Sequence, residues 1–279
     1  MTATRRDLGR TITAHGVLLF FTVLALAPVA LIVMNAFKSR QAIFGSPLAL
    51  PTPQTFDLSG FEAVLGGGQF INYFANSMIV TLVALGATLL IGAMAAFVLS
   101  EYRFRFNVAT GLFFTIGIMV PIRLGTVGIL EMMIATGLVN TRTALILVYI
   151  AQGLPVAIFV LTEFMRTVSD DLKNAGRVDG LSEYMIFFWL VLPLLRPAMV
   201  GVAVFTMIPI WNDLWFPLIL APSEATKTLT LGAQVFLGQY VTDWNSVLAA
   251  LTLSILPVLA MYLVFSRGLI RGITAGAVK

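Results

Sequence analysis

The 279-residue chain contains no cysteine and a single histidine, His15. Disulfides and thiolate metal sites are thereby excluded, and His15, without ligand-type neighbours, is neither a metal ligand nor a catalytic base. Charge is also scarce: 11% of residues are charged, where a soluble domain carries about 25%. No Gly-x-x-x-x-Gly-Lys-Ser/Thr phosphate loop occurs, so the chain has no visible means of cradling ATP. An intramembrane enzyme would need a nucleophile and base, or a metal constellation, and neither is visible. An ion-coupled secondary carrier for a small polar solute, the alternative reading, would place several acids within its spans as coupling sites, and only Asp213 approaches that description.

Apolar residues dominate: 59% of the chain is hydrophobic and the mean hydropathy is +0.96. A soluble fold could not hide that much apolar surface. Six apolar segments follow along the chain, Gly16 to Phe37, Ile71 to Ser100, Val108 to Val120, Ala144 to Thr162, Leu190 to Leu220 and Val247 to Phe265. Most can cover a hydrocarbon core needing about 20 helical residues. The third is short, and Pro121 suggests that it continues as a kinked or re-entrant piece. The expectation is an all-α membrane protein with six transmembrane helices, organised as a single domain over residues 1–279.

The first segment has Arg5, Arg6 and Arg10 before it and Ala25-Leu26-Ala27 within it, a superficial match to a signal peptide. Its apolar run continues to Ala36, and Pro28 directly after Ala27 is a poor cleavage position, so a retained helix is expected. Basic residues set the orientation, because Lys and Arg in short loops stay cytoplasmic. With the N-terminus inside, 12 of the 17 fall on the cytoplasmic side and 5 outside. Segments 1–15, 166–189 and 266–279 are then cytoplasmic, and the 38–70 loop is external. This bias also accounts for the net charge of +4 without a nucleic-acid partner.

Between the fourth and fifth segments lies a polar elbow, with a helix start at Ser169, acids at Asp170 and Asp171, a break at Gly180, a second start at Ser182 and a stop at Leu192-Pro193. Two short helices meeting at Gly180 make a rigid element fixed in two spans, through which a helix bundle can be driven from outside. Ala175, Val178 and Leu181 would offer apolar knobs to a partner groove, with Arg177 and Asp179 at its polar rim. Resting on lipid headgroups is the bland alternative.

The elbow resembles the cytoplasmic coupling loop of bacterial ABC importer permeases, which runs Glu-Ala-Ala, three residues, Gly, nine residues, Ile, one residue, Leu-Pro. Asn174, Ala175, Gly176, Gly180, Leu190, Leu192 and Pro193 fill those places, with Asn174 standing for Glu, Gly176 for Ala and Leu190 for Ile. The run from Trp211 to Leu218, Asn76-Ser77, Thr228-Leu229-Thr230 and the ending Gly272 to Lys279 resemble the smaller permease of maltose-type carbohydrate importers, and the elbow, the Trp211 run and the ending occur in the family's order. The resemblance implies a type I importer fold in a bacterial inner membrane, a second homologous permease, two ATPase subunits and an extracytoplasmic solute-binding protein. It further implies alternating access for a carbohydrate, with no cofactor on this chain and with ATP and Mg used by the ATPase subunits.

Intramembrane polar residues supply the substrate-pathway candidates. Asn212 and Asp213 sit beside Trp211, a mixture suited to sugars, whose hydroxyls need hydrogen bonds and whose ring faces stack on aromatics. Asn76 is a further candidate, with helix capping or interhelix bonding as its other reading, and Gln152 is another. Arg123 and Glu131, after Pro121, are expected to pair with each other, the other reading being that Arg123 attracts an anionic group on the substrate. The tail from Thr274 to Val278 either reaches the ATPase pair or frays.

Overall fold

The computed structural model describes residues 2–234 and 243–277, and among them every regular element is helical. Among the described residues, four helices are long and apolar enough to cross a membrane, and six spans result if each of two bent pairs counts as one. The chain groups into two compact units, Met1–Phe70 with Ala233–Ile255, and Ile71–Gly232 with Leu256–Lys279.

In the first unit, α1 (Thr2–Ala36) carries Pro28 inside it without a break. Its side chains at positions 17 to 21 are all more than half exposed, the condition of a helix that is apolar all round and suited to hydrocarbon. Beyond it, α2 (Arg40–Gly45) and α3 (Ser59–Gly66) give the 38–70 loop a structure of its own. Lys38 is fully buried there. Its Nζ donates to Asn35 Oδ1 at 3.1 Å and to the Ser46 carbonyl at 3.0 Å, and burial lowers its pKa. The loop is closed by Asn245 Nδ2, which donates to the Lys38 carbonyl at 2.9 Å.

The second unit begins with most of α4 (Gln69–Glu101), followed by α5 (Asn107–Met119), α6 (Thr126–Ala135) and α7 (Arg142–Met165). Proline shapes the expected third span. Val120, forced out of the helical region by Pro121, has φ −86° and ψ 113°, and the chain turns by 88° between α5 and the segment leading into α6. The elbow supplies α8 (Asp170–Val178), α9 (Glu183–Met185), a π-helical turn over Ile186–Val191 and α10 (Leu192–Leu194). That widened turn precedes Pro193, whose ring would clash with the carbonyl four residues back in a regular helix.

The expected fifth segment, Leu190 to Leu220, is not one rod. It bends by 73° between α10 and α11 (Arg196–Asn212), and the helix stops at Asp213, extended at φ −71° and ψ 135°. A short α12 (Trp215–Leu220) and α13 (Leu229–Ala233) follow. The last helix, α14, runs Trp244–Ala277, beyond the 20-residue stretch Trp244–Leu263 that is apolar enough to cross a membrane. Among the described residues, two large buried clusters and a smaller one at Leu85, Ala203 and Met207 hold the second unit together. One of the large clusters gathers Ala93, Phe97, Ala157, Leu161, Ile186 and Val191 beneath the elbow, and the other gathers Val80, Leu145, Tyr149, Ile210, Phe216 and Leu220 around Asp213. Small residues such as Ala93 and Ala157 let the helices approach closely, the packing mode that suits a span in lipid.

Candidate functional site

The elbow assembles from local rules. The Ser169 side chain accepts from the Asp171 N–H at 3.2 Å, Asp170 and Asp171 occupy the positive end of α8, and Arg177 lies in its last turn. Gly180 has φ +81°, a left-handed turn that costs an L side chain about 1–2 kcal/mol. Across it, the Ser182 side chain caps α9 by accepting from the Met185 N–H at 3.3 Å. Gly176 lets α8 lie against the π-helical turn, since a Cβ there would stand 2.9 Å from Leu190 Cδ1. An Ala there would regain about 1 kcal/mol of helix propensity and would ask only the end of the Leu190 side chain to shift.

Ion pairs complete the elbow, and they join it to a third element. Glu101, the last residue of α4, accepts from Lys173 through one carboxylate oxygen and from Arg177 Nη2 through the other. Lys173 also pairs with Asp170 at 2.8 Å. Burial pulls the Lys173 ammonium down, but its bonds to Asp170 and Glu101 outweigh this and hold its pKa above the ordinary lysine value. Arg177 Nε donates to Glu183 Oε1 at 2.8 Å and Nη1 to Asn174 Oδ1 at 2.9 Å, so Glu183 and Glu101 raise its pKa further. Tyr102 closes the ring by donating its hydroxyl to Glu183 at 2.7 Å. Its own pKa is pushed up to about 12 by burial, then by the bond to Glu183.

This geometry redistributes the expected coupling residues. Asn174, Ala175 and Asp179 are exposed, with Leu172 and with Val178 at 87% exposure. They form the outward face. Arg177, expected at the rim, turns inward to the carboxylates, and Leu181, expected as an outward knob, packs against the buried cluster beneath. Leu192 packs there too, and Pro193 is half-buried. Glu101, Tyr102 and Glu183 were not singled out from sequence. Glu101 is a lone acid at the end of an apolar run, and nothing local connects it with Lys173.

The second set of candidates does not form one constellation. Asp213, 8% exposed, accepts from the Tyr149 hydroxyl at 2.9 Å, from Arg123 Nη2 at 3.2 Å, and from the N–H groups of Trp215 and Phe216 at 3.2 Å each. Its carboxylate ties α7 to the start of α12. The expected pairing of Arg123 with Glu131 is replaced by this pairing with Asp213, and the Arg123 guanidinium also lies 6.0 Å from the Trp215 ring centre. Asn212 is exposed and donates to the Ile208 carbonyl of its own helix at 2.9 Å. Trp211 is buried, edge-on to Phe74 at 6.2 Å. Asn76 is buried and donates to the carbonyls of Ala225 and Lys227 at 2.9 and 3.0 Å, holding the loop before α13. Gln152 lines a cavity of about 160 Å³ with Tyr149 and Thr206, and a groove of about 750 Å³ with Arg123 and Phe113.

Comparison with known proteins covers both regions. The family model for the binding-protein-dependent transport system inner membrane component matches residues 86–275. The diacetylchitobiose uptake system permease protein of Streptomyces coelicolor is 31% identical over 268 residues, covering 95% of this chain and 88% of the relative. A putative ABC transporter permease protein of a Caldicellulosiruptor species is 34% identical over 260 residues, covering 93% and 94%. In fold, the chain is similar to one from the crystal structure of a bacterial ABC transporter involved in the import of the acidic polysaccharide alginate, with TM-score 0.78, 21% identity and coverage of 94% and 97%.

Proposed function

Because the chain belongs to the family of binding-protein-dependent transport system inner membrane components, we propose that it forms half of the translocation pathway of an ATP-driven carbohydrate importer. It is a transport permease, not an enzyme, and the family's permeases bind no cofactor themselves. A second homologous permease completes the pathway, two ATPase subunits use ATP and Mg beneath it, and a solute-binding protein delivers the sugar from outside. The relative named for diacetylchitobiose uptake supports the carbohydrate class.

The observation that carries this reading is the elbow. Its outward face, Asn174, Ala175, Val178 and Asp179, stands on a scaffold pinned by Gly180 and by the Glu101 ring. A surface so fixed can transmit the closing of an ATPase dimer to the spans as a rigid-body movement, the basis of alternating access. The whole chain then acts as one permease domain, with 1–15, 166–189 and 266–279 on the cytoplasmic side and the 38–70 loop outside, an orientation supported by the distribution of basic residues. Gln152 is the pathway residue best placed to meet a sugar, because its side chain borders open volume, whereas Asn76, Trp211 and Asp213 hold the structure around it.

Affinity purification of the tagged chain from its native membrane tests the assembly. Recovery of an ATPase and a second permease is expected, and the Gly180→Trp variant should insert in the membrane but lose the ATPase. Recovery of the chain alone would refute the reading.

A further inference from the structure

The elbow is covalently continuous with α7 on one side and with α11 on the other, yet its strongest polar contacts go to neither. Both oxygens of Glu101, on α4, are engaged by Lys173 and Arg177 of α8, with Lys173 and Glu101 side chains 5% and 10% exposed. Arg177 simultaneously holds Glu183 beyond the Gly180 turn, and Glu183 holds Tyr102, the residue after Glu101. The result is a closed ring through three elements. Beneath it, Phe97 of α4 packs on Phe187 of the π-helical turn at 5.4 Å between ring centres.

A buried carboxylate between two buried or half-buried cations is costly to separate, since parting leaves each charge without a partner in a poorly hydrated place. A helix end held in this way moves with the elbow or not at all. From this geometry we infer that Glu101 is a positioning residue that makes α4 part of the driven body: movement imposed on α8 passes to α4 through the Glu101–Lys173–Arg177 bridge. The inference rests on the importer reading, and it adds a 33-residue span to the helices that the elbow moves through its own chain connections.

The absence of cysteine makes a direct test practical. Spin labels are placed at Arg103→Cys, beside the end of α4, and at Asp171→Cys, on the exposed side of α8, in the purified complex with cysteine-free partners. Distances are measured without nucleotide and with Mg-ADP-vanadate. The wild-type background should give one narrow distance, unchanged by nucleotide, and Glu101→Ala should let the two labels part by more than about 2 Å, the scale of a packed-helix shift, when nucleotide binds. Glu101→Asp, which keeps the carboxylate, should restore much of the fixed distance. A wild-type distance that changes with nucleotide would overturn the inference, whether or not any variant assembles, and so would a Glu101→Ala distance as fixed as wild type. A wild-type preparation that holds no ATPase would instead overturn the importer reading beneath it.

Discussion

Removing the Asp213 carboxylate takes the acceptor from the Tyr149 hydroxyl, on a residue only 1% exposed, and from two backbone N–H groups at the start of α12. An abandoned buried donor together with a lost cap amounts to about 2–4 kcal/mol, so Asp213→Ala should lower the denaturation midpoint of the purified protein markedly. Arg123→Ala should cost less than this, because the Arg123 end of the pair is 64% exposed and the buried Asp213 carboxylate keeps its bonds from Tyr149 and the two backbone N–H groups. Equal losses in the two variants would contradict this division of roles. Gly180 is governed by its backbone. No atom lies within 4 Å of the place where a Cβ would go, but φ is +81°, so strain rather than bulk sets the penalty. Gly180→Asn should therefore retain more ATPase association than Gly180→Ala, and Ala should resemble Trp. A graded loss with side-chain volume would show that crowding, not φ, matters. The sequence marked both residues as special, Gly180 by its place between two helix starts and Asp213 as an acid in an apolar run. Asp213's partners were not legible, since Tyr149 stands 64 positions away in a helix where a buried tyrosine reads as packing.

Elements whose ends are set by neighbours in sequence were the ones that could be read in advance. Ser169, Gly180, Ser182 and Pro193 delimit the elbow through local capping and turn chemistry, and Pro121 bends the third span for the same kind of reason. The interruption at Asp213 escaped because the residues on both sides are apolar, and a hydropathy run does not reveal a carboxylate that has found four donors. The Glu101 ring escaped because its members are 72 and 76 residues apart. Its chemistry gives the elbow a pH response. Tyr102 is raised from 10.0 to about 12, so its neutral form is the one the fold favours. That contribution is complete below pH 10 and is lost as pH rises toward 12, and Lys173, also raised, acts in the same direction. Asp170 is lowered by its bond to Lys173, and its contribution disappears only as acid protonates it. Hydrogen exchange corrected for intrinsic rate, or limited proteolysis of 169–183, should show a closed elbow through neutral pH and opening above pH 10. Opening that begins near neutrality would contradict the assigned pairs.

At the scale of the molecule, the division between scaffold and moving surface follows from composition. Apolar side chains face outward on α1 because hydrocarbon is their solvent, and charge is concentrated where the chain leaves the membrane. The fold class was legible from that pattern, and the family resemblance from the spacing of Asn174, Gly180, Leu192 and Pro193. Gln152 illustrates the remaining gap: a lone amide in a span reads equally as an interhelix tie or a pathway residue, and only the open volume beside it separates the two. The central claim is that this chain moves a carbohydrate only as part of an ATP-driven assembly. The deciding measurement is uptake of radiolabelled oligosaccharides, diacetylchitobiose among them, into proteoliposomes containing the purified complex, with the solute-binding protein outside and ATP with Mg inside. Accumulation of a sugar that needs both the binding protein and ATP is the expected result. Uptake by this chain alone, driven by a proton or sodium gradient and indifferent to ATP, would contradict it.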